Sequence, residues 1–339
     1  MKNYQKTAAV VLVAGLTACA GQAPNGAGFT PQTVSGPALS QAGAPDQSVQ
    51  PDKHRRTVRV FAANRDGANV VAFAVRSTGN VTPVVNISGS NTTLSQPDAL
   101  ALDSSGNIYA ANDGANSVSV FKKTANGNVA PVRTVGGSNS QLGPTEGIMV
   151  DKAGHLWVSN YSGSAVTEYA AGASGNVSPI AVISGSNTQL AEPFGMAMNA
   201  SGKLFVANGN AGSIVFFAAG ANGNTSPAGK ISGSNTGLVK PFAIAFDPMG
   251  RLLVADESAG VLVFAKGANG NVAPVAKITS LSEPAGVTAD AASHIWVADF
   301  GNAAIKEYAT QANGMATPLR TIQGGNTTLD GPNYVAIQQ

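Results

Sequence analysis

The sequence has little charge, one cysteine and three histidines. Charged residues make up 11% of the 339 residues, against roughly 25% in an average soluble domain. A chain with so little charge is not a coiled coil, a basic nucleic-acid binder or an acidic tail. The single cysteine, Cys19, excludes a disulfide within the chain.

Several enzyme classes lack their usual residues here. His155 and His294 occupy equivalent turns in two sequence repeats, and His54 lies outside the repeats. No histidine is therefore placed for a Ser-His or Cys-His pair, or for a zinc site with its usual ligands. The sequence also has no GxSxG, HExxH, P-loop or EF-hand motif, so we lean towards a protein that is not an enzyme.

The N-terminus has the layout of a secretory signal. Lys2 and Lys6 precede an apolar run, residues 7–16, that is too short to span a bilayer as a helix. Residues 16–19, Leu-Thr-Ala-Cys, resemble the lipobox of bacterial lipoproteins, in which the cysteine is lipidated and becomes the new N-terminus. That resemblance implies a lipid anchor at Cys19, and the alanine that follows implies sorting to the outer membrane of a two-membrane cell.

The chain divides into three predicted segments: a signal peptide over 1–18, a tether over 19–56 and a repeat domain over 57–339. The tether is rich in Gly, Ala, Pro, Gln and Ser and has no apolar periodicity, so we expect it to be disordered. Loss of the leader removes two of the 20 basic residues and leaves 18, matched by 18 acidic residues. A neutral chain is not suited to binding nucleic acid.

One pattern recurs through the third segment, and it is centred on a short apolar strand that ends in Asn or Asp. These anchor residues are 48, 48, 48, 48 and 43 positions apart; they are Asn64, Asn112, Asn160, Asn208, Asp256 and Asp299. We expect them to cap strands and shape turns through local hydrogen bonds rather than to bind a ligand.

Each repeat contains four short strands separated by turn signals. The anchor strand is followed by a strand that ends in an aromatic residue, an Asn-Gly-Asn turn with a proline, a third strand, and a Gly-Ser-Asn-Thr loop leading to a fourth. A period of about 47 residues with four strands predicts a blade of a β-propeller. The residues before Asn64 and those after Pro332 are each an incomplete repeat, so the N- and C-terminal strands should pair and close a six-bladed ring.

The repeats resemble the NHL-repeat propellers and their relatives. The resemblance covers 57–339 and depends on strings of the type P-x-G-I-x-V-D followed by G-x-L-W-V-A-N. It implies an all-β six-bladed propeller, a fold that serves protein binders, sugar lactonases and lyases alike.

Positions that break the repeat are the candidates for function. The residue fourteen positions before each anchor lies where the innermost strand begins, at the mouth of the central channel. Counting back gives Asp98, Glu146, Phe194, Phe242 and Ala285, and Asn333 takes the matching place after Pro332, next to Asp98 in the ring. Half of the mouth is therefore polar and acidic and half is apolar, which suits either a small ligand or a hard cation; solvated carboxylates at a wet entrance are the other interpretation.

The resemblance to gluconolactonase-type propellers implies a divalent metal held by oxygen ligands in this part of the channel, and Ca²⁺ is the cofactor to test. Two carboxylates and one amide are few ligands for Ca²⁺, which takes six to eight oxygens. The loops that follow the anchors open on the same face. They carry Arg65, Tyr161, Glu257 and Phe300 as candidate contacts for a partner.

From these observations we expect a monomeric, lipid-anchored propeller of the bacterial envelope that binds a protein or a glycan without catalysis. The alternative is a metal-dependent lactonase, hydrolase or lyase that uses Asp98, Glu146 and Asn333. A purely structural envelope protein is the third hypothesis.

Overall fold

The described part of the protein, residues 58–338 of a computed structural model, consists of 24 β-strands in six antiparallel sheets of four strands each. The predicted signal peptide, Cys19 and the tether lie outside these residues. Among the described residues, none of the helices has the length and apolar character needed to cross a bilayer. The helical segments are single 3-10 turns at Ser90–Thr92, Asp113–Ala115, Ser138–Ser140, Ser186–Thr188, Phe300–Asn302 and Gly325–Thr327.

Each sheet is one blade, and the strands are numbered in chain order. The innermost strands are β4 (Pro97–Leu102), β8 (Thr145–Val150), β12 (Pro193–Met198), β16 (Pro241–Phe246), β20 (Pro284–Ala289) and β24 (Pro332–Ile337). The second strands, which end in the anchors, are β1 (Arg59–Asn64), β5 (Ile108–Asn112), β9 (Leu156–Asn160), β13 (Leu204–Asn208), β17 (Leu252–Asp256) and β21 (Ile295–Asp299).

The outer half of each blade is built in the same way. The third strands are β2 (Asn69–Ala74), β6 (Ser117–Phe121), β10 (Ala165–Tyr169), β14 (Ser213–Phe217), β18 (Gly260–Phe264) and β22 (Ala304–Tyr308). The outermost strands are β3 (Val85–Ile87), β7 (Arg133–Gly136), β11 (Ala181–Ile183), β15 (Gly229–Ile231), β19 (Ala276–Ile278) and β23 (Arg320–Gln323). The six blades are numbered from the one that contains β1.

The ring closes through its first and last strands, as the incomplete terminal repeats predict. Strand β24 pairs antiparallel with β1, with Val60 opposite Ile337 and Ala62 opposite Val335. Blade 1 thus has the order β24-β1-β2-β3. Around the channel each innermost strand packs against the next, in the order β24, β4, β8, β12, β16 and β20.

The core lies between the blades and is supplied by every strand. The aromatic residue at or next to the end of each third strand is almost completely buried, and burial of a side chain of this size contributes roughly 1.5 to 3 kcal/mol. These residues are Phe73, Phe121, Tyr169, Phe217, Phe264 and Tyr308.

The anchors have the structural role expected of them. All six are buried, and most accept a hydrogen bond from a backbone N–H in the loop that precedes the innermost strand of the same blade. Asn112 Oδ1 accepts from Ser95 N at 3.2 Å, and Asp256 Oδ2 accepts from Val239 N at 2.7 Å. The anchors thus fix the loop that leads into the channel.

The Asn-Gly-Asn turns do more than reverse the chain, because each one contacts the preceding blade. Gly127 of blade 2 forms a bridge with Ile87 of blade 1, and Asn128 Oδ1 accepts a hydrogen bond from Asn91 N at 2.8 Å. Equivalent side-chain bonds of 2.7–2.8 Å join four more pairs of blades. The turns therefore also cover part of each blade's outer edge.

The seam between blades 5 and 6 differs from the other five. Met315 stands where the other turns have their second Asn, and its sulfur lies 3.4 Å from Thr279 Oγ1. Most of the shorter spacing between the last two anchors reflects the same change, since blade 5 lacks the Gly-Ser-Asn-Thr loop whose backbone bonds to the turn in the other blades.

Candidate functional site

A β-bulge presents one residue of every innermost strand to the channel mouth. In blade 2, Pro97 pairs with Asn112 and Ala99 with Ala111, so Asp98 has no partner in the ladder. The same irregularity occurs at the start of the other five innermost strands. A bulge frees a residue from the pleat and redirects its side chain. The repeat thus supplies a ring of six equivalent positions whose side chains vary.

Arg65 and Asp98 form the polar centre of the mouth. Arg65 leaves the end of β1, and its Nη1 donates to both carboxylate oxygens of Asp98, at 3.0 and 2.9 Å. Asn333 Nδ2 donates to Asp98 Oδ1 at 2.9 Å and to its carbonyl oxygen at 3.2 Å. Arg65 Nη2 reaches Asp113 Oδ2 at 3.3 Å. Asp98 is fully buried, so its charge is balanced from within the protein.

Glu146 completes an acidic cluster with Asp98 and Asp113, in which one oxygen of each lies within 4.8 Å of the others. Among the described residues, Glu146 Oε2 is a buried oxygen without a hydrogen-bond partner. A buried acceptor in this state costs free energy unless a proton or a ligand satisfies it. Because this atom has almost no exposed surface, a proton on it or a ligand that enters the mouth would have to satisfy it.

The carboxyl groups of the cluster titrate above their usual range. Burial, with the charge of Asp113 adding to it, raises the pKa of Glu146 to about 7. Burial and the charge of Glu146 also raise the pKa of Asp98, against the lowering effect of Arg65. Donors on Asp98 favour its ionised form, whereas Glu146 Oε2 has none. The two groups titrate as a coupled pair, and the hydrogen-bond donors around Asp98 favour Glu146 as the place of a proton that the pair retains.

The apolar half of the mouth is a cluster of three aromatic rings. Phe194 lies between the other two, with ring centroids 5.4 Å from Tyr161 and 4.5 Å from Phe242. Phe194 is buried, whereas Tyr161 and Phe242 are partly exposed. Blades 3, 4 and 5 thus contribute an aromatic wall to the mouth. Phe194 and Phe242 belong to the apolar half that the sequence predicts, whereas Tyr161 extends the wall into blade 3, which also carries Glu146.

Gly209 makes room for the central ring of this wall. A Cβ atom at Gly209 would lie 2.2 Å from Cε2 of Phe194. Ser159 Oγ also donates to the carbonyl oxygen of Phe194 at 2.6 Å, which ties blade 3 to blade 4. The position of the Phe194 ring is therefore set by a missing side chain on one side and by a hydrogen bond to its backbone on the other.

The remaining predicted contact residues have different surroundings. Glu257 is ion-paired with Lys240, and Phe300 is half-buried at the start of a 3-10 turn, next to Gly331 of the first blade. Arg65 faces the buried carboxylates rather than presenting its whole side chain to a partner. Sequence reasoning missed Asp113, although it follows anchor Asn112 just as Arg65 follows Asn64.

The donor set is a poor match for Ca²⁺. Both carboxylate oxygens of Asp98 accept from the guanidinium of Arg65, and Asn333 presents its amide nitrogen to the same carboxylate. A cation bound to Asp98 would have to displace this fixed positive charge, and Ca²⁺ needs more oxygens than the cluster offers.

Comparisons with known proteins establish the fold and leave the ligand open. No family model matches the sequence, and no curated protein matches it. Among solved structures, a protein of unknown function from Bacteroides caccae has a TM-score of 0.61 at 9% identity, covering 84% of this chain and 99% of the other. A chain of a nidogen/laminin complex has a TM-score of 0.58 at 13% identity, covering 83% and 98%.

Virginiamycin B lyase from Staphylococcus aureus is a third similar structure, with a TM-score of 0.56 at 13% identity over 80% of this chain and 83% of the lyase. At these identities the likeness is one of fold alone. The chain is a six-bladed propeller whose structural neighbours include a lyase and a chain from a nidogen/laminin complex. Nothing among the comparisons matches its repeats to the NHL family itself.

Proposed function

We propose that this protein is a lipid-anchored binding module of the bacterial envelope whose channel mouth holds a glycan without catalysis. The observation that carries the proposal is the mouth itself, where the buried, unpartnered Oε2 of Glu146 adjoins an aromatic wall. Glu146 and Phe194 occupy equivalent positions on the neighbouring strands β8 and β12.

The chemistry of the two halves suits a polyhydroxylated ligand. Binding sites combine apolar walls with a few convergent polar groups that fix orientation. The rings of Tyr161 and Phe242 offer flat apolar faces to the C–H surface of a sugar, while Glu146 offers a hydrogen-bond partner to its hydroxyl groups. Arg65 neutralises part of the acidic charge, so the site does not demand a cationic ligand.

The localisation of the protein is proposed from its N-terminal sequence. Residues 16–19 have the lipobox pattern and residues 20–56 the composition of a flexible tether. An anchor at Cys19 would hold the propeller close to envelope glycans.

An enzyme of the lactonase or lyase kind is the second candidate. Its support is the acidic cluster of Asp98, Asp113 and Glu146, together with the fold that this chain shares with virginiamycin B lyase. The guanidinium of Arg65 on Asp98 makes it the weaker candidate, because it occupies the carboxylate that a catalytic metal would need.

The deciding experiment is a binding screen of the purified protein against an array of bacterial envelope oligosaccharides, followed by calorimetry on the best glycan. Glu146→Gln and Phe242→Ala should each weaken binding by at least about tenfold, a loss of about 1.4 kcal/mol. Met249→Ala is the control, since Met249 is exposed in a turn at the other end of the channel.

The bound glycan should be recovered unchanged after incubation, whereas a cleaved product would favour the enzyme. If no glycan binds, or if the two mouth variants bind as well as the wild type does, the proposal is wrong. Capture of an envelope protein that depends on Tyr161 and Phe300 would instead favour a protein partner.

A further inference from the structure

Two blades carry a histidine between two carboxylates at the end of the ring opposite the mouth. His155 lies in the turn that joins β8 to β9, and His294 lies in the equivalent turn between β20 and β21. Each follows an aspartate by four positions, and the third strand of each blade adds a glutamate. The two clusters are Asp151, His155 and Glu168 in blade 3, and Asp290, His294 and Glu307 in blade 6.

Hydrogen bonds from neighbouring groups orient Asp151 in the blade 3 cluster, so that the metal-binding atoms converge. Asp151 Oδ1 accepts hydrogen bonds from the backbone N–H groups of Ala153 and His155, both at 2.9 Å. This leaves Asp151 Oδ2 facing the ring of His155, with the indole N–H of Trp157 donating to it at 3.3 Å. Support of this kind from neighbouring groups orients metal ligands.

The distances in blade 3 match those between the ligands of a zinc ion. His155 Nδ1 lies 3.4 Å from Asp151 Oδ2 and 3.0 Å from Glu168 Oε1. Zinc bonds of about 2.0 to 2.2 Å to nitrogen and oxygen place tetrahedral ligand atoms about 3.3 Å apart. A ligand set of one imidazole and two carboxylates suits Zn²⁺ better than Ca²⁺ or Mg²⁺, which prefer oxygen alone.

We propose that Asp151, His155 and Glu168 form a Zn²⁺ site with three protein ligands and a fourth position open to water. The side chains are only partly exposed, at 12%, 34% and 15% respectively. The linear sequence hides this site, because Glu168 comes next to His155 only through the pairing of β9 with β10.

Blade 6 provides an internal comparison. Glu307 pairs with Arg320 of the outermost strand, and the guanidinium forms an ion pair with its carboxylate. The equivalent position in blade 3, opposite Glu168, is Ala181. Arg320 thus supplies the positive charge that a metal would bring, so we expect the blade 6 cluster not to bind Zn²⁺ while that arginine is present.

A protonated histidine bridging two carboxylates is the competing role for the blade 3 cluster. Calorimetric titration of the full chain with Zn²⁺ distinguishes the two, and Co²⁺ in its place reports a four-coordinate site through its visible absorption. We expect one bound Zn²⁺ per chain. His155→Ala and Glu168→Gln should weaken it by at least about tenfold, whereas His294→Ala should leave it unchanged.

Arg320→Ala is the sharpest variant, because it removes the competing charge from blade 6. It should raise the stoichiometry from one zinc ion to two, and the second ion should be lost again in Arg320→Ala/His294→Ala. Circular dichroism of each variant checks that the propeller is folded. If His155→Ala does not fold, Glu168→Gln provides the test. Absence of zinc binding, or binding that survives both His155→Ala and Glu168→Gln, would overturn the proposal.

Discussion

Arg65 and Asp98 are 33 positions apart in the sequence and belong to neighbouring blades, yet one nitrogen of Arg65 lies about 3 Å from both carboxylate oxygens of Asp98. The first follows the anchor of blade 1, and the second occupies the bulge of blade 2. The pair therefore links the two blades next to the point where the ring closes, and it sets the charge of the mouth.

Breaking this pair should destabilise the propeller. Arg65→Ala leaves the carboxylate of Asp98 buried without its cation, and we expect a loss of about 2 to 3 kcal/mol, since Arg65 itself is partly exposed. Adding Asp98→Asn should recover part of the loss. Urea unfolding of the two single variants and the double variant gives the coupling energy.

Lys240→Ala is the matched control, because the Lys240–Glu257 pair is exposed on both sides. It should cost less than about 1 kcal/mol. Equal losses of unfolding free energy in Lys240→Ala and Arg65→Ala would mean that the burial of Asp98 does not set the cost.

Stability should fall as the pH rises towards neutrality. Burial raises the pKa of Glu146 to about 7, whereas an unfolded glutamate titrates near 4.3. Between these values the folded protein binds more protons than the unfolded chain, so the free energy of unfolding decreases with increasing pH. At 1.36 kcal/mol per pKa unit the decrease amounts to roughly 4 kcal/mol.

Chemical unfolding at a series of pH values from 4 to 8 measures this slope, and we expect Glu146→Gln to reduce it. The slope that remains comes from Asp98 and Asp113, because burial also raises the pKa of these two groups. Glu257→Gln, which changes a half-exposed carboxylate, should keep the wild-type slope. A wild-type slope that persists in Glu146→Gln would place the proton on another group.

A methyl group at Gly209 should disturb the aromatic wall. The Cβ of Gly209→Ala would collide with the ring of Phe194, so the ring must move, at a cost of about 1 to 3 kcal/mol. We also expect weaker glycan binding. Gly163→Ala is the control, since its Cβ would approach nothing closer than 4.0 Å. Thermal unfolding and calorimetry compare the two, and equal behaviour would show that Phe194 is not confined by Gly209.

The hydrogen bonds that join each turn to the preceding blade should contribute unequally around the ring. Asn128→Ala removes the acceptor for Asn91 N and should cost about 1 kcal/mol. Met315→Ala, at the equivalent turn of blade 6, removes no such bond and should cost less than about 0.5 kcal/mol. Urea unfolding tests the difference.

Gly89→Ala should be more damaging than Asn128→Ala. Gly89 has φ of 111°, and a Cβ there would lie 2.6 Å from Cγ of Asn128. The second substitution Asn128→Ala relieves the collision but leaves the backbone strain, so the double variant should recover only part of the stability. Full recovery would mean that the φ angle carries no cost.

The repeat made most of the fold predictable. Anchor spacing, four strands in each period and the incomplete terminal repeats predict six blades and closure of β24 on β1, and all of this is confirmed. The positions of Asp98, Glu146 and Asn333 in one half of the mouth, and of Phe194 and Phe242 in the other, follow from the same indexing. Repeats of this kind place equivalent residues at equivalent points because each blade contacts only its neighbours.

The partners of those residues were not predictable. Arg65 looked like a contact for another molecule, but it bonds to Asp98 and Asp113 because two anchor loops converge above the bulge of blade 2. Likewise, the second Asn of each turn looked like a turn-former only, yet its side chain receives a backbone N–H from the preceding blade. Contacts between blades join residues more than 30 positions apart, and no local pattern encodes them.

The sequence by itself thus determined the architecture, since the alternation of apolar strands with Gly, Asn and Pro turns admits one way of burying the apolar faces. Tertiary structure decided the chemistry of the sites. Burial turned Glu146 into a carboxyl group with a raised pKa, and strand pairing brought Glu168 to His155 while placing Arg320 on Glu307. These properties depend on distance and on exclusion of water, which the linear order of residues does not specify.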